Sequence, residues 1–186
     1  MDIFSGLSLG QLTLANRIVM APMTRSRADT AAVPTDMMVD YYAQRASAGL
    51  IISEGIAPNA DGLGYCRTPG IYNDDQVEAW ARVTSAVHAA GGKIVAQIMH
   101  VGRISNSLNK PAGSETVAPS AIAARGEIYT DQSGMMPFDK PRALRTQEIA
   151  GIVSDYAQAT ANAYAAGFDG VELHCTSGYL PAQFLS

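Results

Sequence analysis

The sequence predicts an α/β fold built on a parallel sheet, and three observations carry that prediction. Four short runs, residues 18–23, 50–56, 93–100 and 168–174, are rich in β-branched and aliphatic residues without polar alternation, the pattern of strands covered on both faces. Helical stretches separate them, so the order β-α-β-α-β-α-β implies right-handed crossover units. The 186 residues are 47% apolar and only 16% charged, against an ordinary charged share of about 25%, which excludes disorder and requires heavy burial.

Each element follows in turn. Residues 3–14 alternate around Gly10-Gln11 and read as a small hairpin closing the floor of a barrel. After the first strand, residues 34–49 place Met37, Met38, Tyr41, Tyr42 and Ala46 at helical spacing and stop at Gly49. The second helix, 74–91, carries acidic residues in its first turn and a Gly-Gly stop. The third, 146–167, opens at Thr146, aligns Ile149, Ile152, Val153, Tyr156, Ala159, Ala163 and Tyr164 on one side, and stops at Gly167. Trp80 on the second helix reads as a packing residue. Strand starts at 18, 50, 93 and 168 leave a long last interval, and the excess at 103–145 is either a functional loop or an excursion subdomain, with a hairpin expected at 128–138 around Asp131 to Gly134.

The chain is therefore organised as one partial domain over 1–186: a hairpin at 1–16, three strands and two helices at 17–102, the excursion at 103–145, and the third helix, fourth strand and start of a fourth helix at 146–186. A complete (β/α)8 barrel takes about 250 residues and seldom fewer than about 200. Four parallel strands alone leave two raw edges and an exposed face.

Charge and motifs exclude several classes. The 13 basic residues form no runs and the net charge is −4, so no footprint for nucleic acid or an anionic membrane is present, and small neutral partners are expected. Cys66 and Cys175 match no metal-ligand spacing and no disulfide framework; they read as small buried fillers in a reducing, cytoplasmic setting. Residues 1–14 lack the basic region of an export signal, and no apolar stretch reaches the span of a membrane helix. His88, His100 and His174 form no metal triad with spaced carboxylates, and there is no G-x-S-x-G elbow, P-loop or dinucleotide fingerprint.

Chemistry in α/β folds collects at the carboxyl ends of the strands. Those ends carry Ala21-Pro22-Met23-Thr24-Arg25-Ser26-Arg27, then Ser53-Glu54-Gly55, then residues 97–103 with Gln97 and Met99, and finally His174-Cys175-Thr176-Ser177-Gly178-Tyr179. Each alone reads equally as structural. Four polar ends around one mouth point to a site.

Together with Gly64-Tyr-Cys-Arg-Thr-Pro-Gly-Ile-Tyr and Gly178-Tyr-Leu-Pro-Ala-Gln-Phe-Leu, these motifs resemble the old yellow enzyme family, in its alkene or N-ethylmaleimide reductase branch, in the right order along essentially the whole chain. The resemblance implies the amino-terminal half of an FMN-containing TIM barrel. NAD(P)H reduces the flavin, and flavin N5 passes hydride to the β-carbon of an activated alkene. It implies that Thr24 hydrogen-bonds flavin O4, that Ala21, Pro22, Met23 and Gly55 bring backbone against the ring, and that Gln97 binds its pyrimidine edge. His174 then polarises the substrate oxygen beside the flavin, Tyr179 protonates the α-carbon, and Tyr65 and Met99 line the mouth. Arg25 and Arg27 are expected to be structural. Ser177 stands where the family usually has Asn or a second His, which changes the second oxygen anchor.

The phosphate site of such barrels normally follows strands seven and eight, beyond these four. A partner-dependent half-barrel that lacks flavin by itself, paired with a complementary carboxyl-terminal half or another copy, is the competing expectation. An aldolase-like or phosphate-binding barrel without flavin would need a lysine or metal cluster at the strand ends, and none is seen.

Overall fold

A computed structural model describes residues 2–186. The chain runs through β1 (Leu7–Leu9), β2 (Leu12–Leu14), β3 (Val19–Met20), α1 (Asp36–Ala43), β4 (Leu50–Ile56), α2 (Asp74–Ala89) and β5 (Ile94–Ile98). It continues through β6 (Val117–Ala118), β7 (Glu127–Thr130), β8 (Gly134–Pro137), β9 (Arg142–Ala143), α3 (Thr146–Ala165), β10 (Val171–Leu173) and α4 (Leu180–Phe184). Strands β3, β4, β5 and β10 form one parallel sheet in that spatial order, as the strand-helix alternation requires.

The helices cover one face. Trp80 of α2 is fully buried among Tyr42, Val83, Ile94 and Phe168, with its ring centroid 5.2 Å from that of Phe168, and its indole N–H donates to the Gly70 carbonyl at 3.1 Å. At the amino-terminal ends of the strands, the β1–β2 hairpin sets Leu7, Leu12 and Leu14 against Leu50 and Val95, which closes that end of the sheet to water.

Burial on both faces holds for β4 and β5 but not for the outer strands. Val19 is 48% exposed and Leu173 53%, because β3 and β10 are the open edges and, among the described residues, pair with no further strand on their outer side. The first strand is also shorter than its apolar run: residues 21–25 leave the sheet as an irregular segment.

Helix ends divide into two kinds. Gly91 and Gly167 adopt left-handed backbone (φ +80° and +82°), and the next amides reach back from Gly92 to Val87 and from Phe168 to Ala163, the Schellman closure expected of a glycine stop. Gly49 is not a cap, since α1 already ends at Ala43. Its amide donates to Asn16 Oδ1 at 2.8 Å while Asn16 Nδ2 donates to the Ser47 carbonyl at 2.9 Å. A β-carbon on Gly49 would collide with the Asn16 carbonyl. Gly49→Ala should therefore cost about 1–3 kcal/mol, read as a lower urea midpoint, whereas Gly151→Ala on the open face of α3 should not.

Helix α3 begins at Thr146, and its entry is held by Glu148, whose carboxylate accepts the Arg145 amide at 2.7 Å. Ala159 and Ala163 meet the core, but Tyr164 is 85% exposed and Val153 also faces out, because the contact stripe is only one small-residue row wide. The excursion after β5 is ordered: β6 and β9 pair in parallel and bracket the β7–β8 hairpin, whose loop lies at 131–133. Neither cysteine is a buried filler. Cys66 is half-buried and Cys175 is exposed, since it follows the open edge strand β10. Among the described residues no helix is long and apolar enough to cross a membrane.

Candidate active site

The carboxyl ends of the four parallel strands meet at one mouth. Gly55 lies opposite Gln97 and Gln97 opposite Glu172, so one rank crosses β4, β5 and β10. A bulge between Ile52 and Gly55 produces this rank: Ser53 Oγ donates to the Glu54 carbonyl at 2.8 Å and accepts the Gln97 amide at 3.0 Å. Gln97 is buried and its Nε2 donates to Glu172 Oε1 at 2.7 Å, leaving its Oε1 without a donor among the described residues. Met99 is also buried; its thioether lies over the space a Gly55 side chain would fill. Beside this rank the irregular segment leaves Ala21, Met23 and Thr24 exposed and Pro22 half-buried.

The opposite side of the mouth is the link from β10 to α4. The His174 amide donates to the Ile98 carbonyl (3.0 Å) and the Leu180 amide to the His100 carbonyl (2.9 Å), which pins both ends of the link. The His174 and Tyr179 rings meet edge-on with centroids 4.8 Å apart, and the Tyr179 hydroxyl lies 3.0 Å from the Tyr65 hydroxyl. Ser177 is exposed in left-handed backbone (φ +57°), with its hydroxyl 3.3 Å from that of Thr176. Asn adopts this conformation more readily than Ser.

Burial sets the protonation states. It lowers the His174 pKa, against the opposing charge of Glu172, so at neutral pH the imidazole is neutral and donates a single N–H. Burial and the bond to Tyr179 raise the Tyr65 pKa and keep that phenol protonated. Arg25 and Arg27 do structural work: the Arg25 guanidinium stacks over the Tyr41 ring at 5.0 Å, and Arg27 donates to the carbonyls of Arg25 and Ser26.

Sequence reasoning gave no role to two carboxylates at the site. Glu172 supports Gln97, and Glu54 is a fully buried carboxylate behind the irregular segment. The signal for both was a carboxylate inside an otherwise apolar strand run, which burial makes costly unless it is partnered. Among the described residues no cluster of His, Cys, Asp and Glu is suited to a metal ion.

Comparison with known proteins matches this arrangement. The model of the NADH:flavin oxidoreductase / NADH oxidase family matches residues 2–186. Chanoclavine-I aldehyde reductase of Penicillium roqueforti is 48% identical over 186 residues, covering 98% of this chain and 48% of that protein. The old yellow enzyme homologue of Zymomonas mobilis superposes with a TM-score of 0.92 at 49% identity over 97% of this chain and 50% of its own. Morphinone reductase in complex with tetrahydroNAD gives 0.93 at 48% identity over 100% and 52%. The chain thus spans about half the length of the relatives it matches, and its four parallel strands are those of about half a TIM barrel. Family model, sequence identity and superposition agree: the chain belongs to the NADH:flavin oxidoreductase / NADH oxidase family, among the old yellow enzyme homologues.

Proposed function

We propose that this chain is the proton-donating half of an FMN-dependent ene reductase acting on small activated alkenes such as enones, maleimides or nitroalkenes. The observation that carries the reading is the set of three side chains around one mouth: a neutral His174, Tyr179 edge-on to it, and Tyr65 bonded to Tyr179. The opposing wall fits a flat heteroaromatic ring. It offers exposed backbone at 21–24, a glycine at 55, and a buried Gln97 amide with an unused acceptor that matches a pyrimidine edge.

When bound, FMN would supply the two-electron chemistry that links NAD(P)H oxidation to reduction of the alkene at its β-carbon. The chain's own groups do the rest. Thr24 would donate its hydroxyl to flavin O4, Ala21, Pro22, Met23 and Gly55 would offer backbone to the ring, and Met99, whose thioether lies over Gly55, would line the mouth. His174 donates its N–H to the carbonyl or nitro oxygen and stabilises the charge that grows there. Tyr179 gives its phenolic proton to the α-carbon, and the Tyr65 O–H, already at hydrogen-bond distance, stabilises the phenolate left behind. Two free cysteines and no disulfide are in keeping with a reducing cytoplasmic setting.

A second observation favours a partner. Besides the open edges of β3 and β10, an apolar groove of about 310 Å³ runs between α3 and α4, lined by Ile149, Ile152, Tyr156, Leu173, Leu180 and Phe184. Further polypeptide that continues the sheet, a complementary half or a second copy, would cover these surfaces. Purification followed by visible absorption, size-exclusion chromatography and cyclohexenone reduction with NADPH tests both points. A yellow, active species larger than the 19.6 kDa chain supports both. A yellow, active monomer removes the need for a partner, and a compact monomer that takes up no FMN overturns both.

A further inference from the structure

We infer that Glu54 is a positioning residue for the cofactor wall: through the Arg25 amide it sets where the neighbouring Thr24 hydroxyl stands. The inference rests on the flavin reading of that wall. Residues 21–25 belong to no strand or helix, so little in the sheet holds them in place. One interior anchor lies directly after Thr24, where the Arg25 amide donates to Glu54 Oε2 at 3.2 Å. The anchor is itself rigid. Glu54 sits in the β4 bulge and is 1% exposed. Its amide donates to the Tyr42 hydroxyl at 2.9 Å, and that hydroxyl donates to Glu54 Oε1 at 3.2 Å. Tyr42 is itself fully buried in α1, so the segment is tied through one carboxylate to the core.

A carboxylate suits this task better than an amide, because both of its oxygens accept. A glutamine could answer the Tyr42 hydroxyl and the Arg25 amide together only by turning its NH₂ toward one of them. The Tyr42 hydroxyl can rotate to accept, but the Arg25 amide cannot, so a glutamine turns its NH₂ to Tyr42 and keeps its oxygen on Arg25, where a weaker neutral bond replaces the charge-assisted one.

The anchor is also sensitive to pH. Burial raises the Glu54 pKa to about 7, against the pull of the Arg25 amide, the Tyr42 phenol and the Arg25 guanidinium. The groups facing it are Arg25 from the irregular segment and Tyr42 from α1, with Tyr41 and Arg45 behind, where Arg45 stacks on the Tyr41 ring at 3.8 Å. Protonation converts one accepting oxygen to a donor and loosens the hold on the segment near neutral pH.

Two readouts test this. In the chain, the ¹⁵N shift of the Arg25 amide should titrate with a midpoint near 7 and lose that step in Glu54→Gln. In the FMN-loaded protein, Glu54→Gln should shift the flavin midpoint potential and raise the FMN dissociation constant about tenfold, the effect of turning one charge-assisted bond into a neutral one. Should Glu54→Gln not fold, Tyr42→Phe keeps the carboxyl and removes one of its donors, so the Arg25 midpoint should move up. An amide that does not titrate overturns the anchor. An amide that titrates while potential and FMN affinity stay unchanged overturns its role in the cofactor wall. A protein that takes up no FMN at either pH 6 or 8 sinks the flavin reading and that role with it, and the amide titration still decides the anchor.

Discussion

Replacing Tyr179 by Phe is expected to slow alkene reduction by about 10²- to 10⁴-fold, the usual contribution of a positioned general acid, while reduction of the flavin by NAD(P)H stays as it was. The split follows from the geometry. The phenyl ring keeps its edge contact with His174, so neither the mouth nor the histidine moves, and only the O–H is lost. The two half-reactions should be followed separately by stopped-flow absorbance. If both slow together, Tyr179 is acting on cofactor placement rather than on the α-carbon. Tyr65→Phe removes the donor that would stabilise the Tyr179 phenolate but leaves the proton itself, so its effect should fall on the same half-reaction and be smaller.

Acid lability should be governed by a residue away from that chemistry. Burial lowers the His100 pKa from 6.5 to about 3; its Nδ1 accepts the Gly102 amide at 3.1 Å, and its buried Nε2 has no partner. The folded chain therefore holds the ring neutral where the unfolded chain protonates it. Stability from this group is complete above pH 6.5 and is lost as pH falls toward 3. Glu54 has the opposite sign. Its pKa is raised from 4.5 to about 7, so its contribution is complete below 4.5 and is lost as pH rises to 7.

The two slopes oppose each other between pH 4.5 and 6.5, and urea midpoints there should vary less with pH than in a variant lacking either group. Below pH 4.5 His100 is joined by Glu148, whose carboxylate is held at about 2 by bonds from Arg145 and Arg142, and by Asp169. Burial raises the Asp169 pKa, but bonds from Lys93, His88 and the Ile94 amide outweigh that and hold it low, so its stabilisation is also lost in acid. His100→Asn keeps an acceptor for Gly102 and should expose the Glu54 slope: midpoints that fall from pH 4.5 to 7. Glu54→Gln should expose the other, with midpoints that fall on acidification from 6.5. Superimposable curves for wild type and His100→Asn would show that His100 is not the group being titrated.

Much of this molecule was legible in its sequence. Apolar runs and glycine stops located every strand of the sheet and all three crossover helices, because a buried parallel strand and a Schellman turn leave local marks. The motifs at the strand ends named His174, Tyr179, Gln97 and Thr24, and the structure brings their elements to one mouth. Reading failed where a local mark had a distant cause. Gly49 looked like a helix cap and is instead a close approach to Asn16, and Cys175 looked like a filler and follows an open edge.

By itself, then, the sequence determined the order of elements and the chemical groups carried to the strand ends, since periodicity and turn chemistry act between near neighbours. Tertiary structure alone decided which of those groups touch. Tyr65 and Tyr179 are 114 residues apart, Gln97 and Glu172 are 75 apart, and Glu54 reaches back 29 residues to the Arg25 amide. Such pairs depend on sheet register, a β4 bulge and the burial that makes each partner necessary, and these are properties of elements packed together rather than of any one stretch of chain.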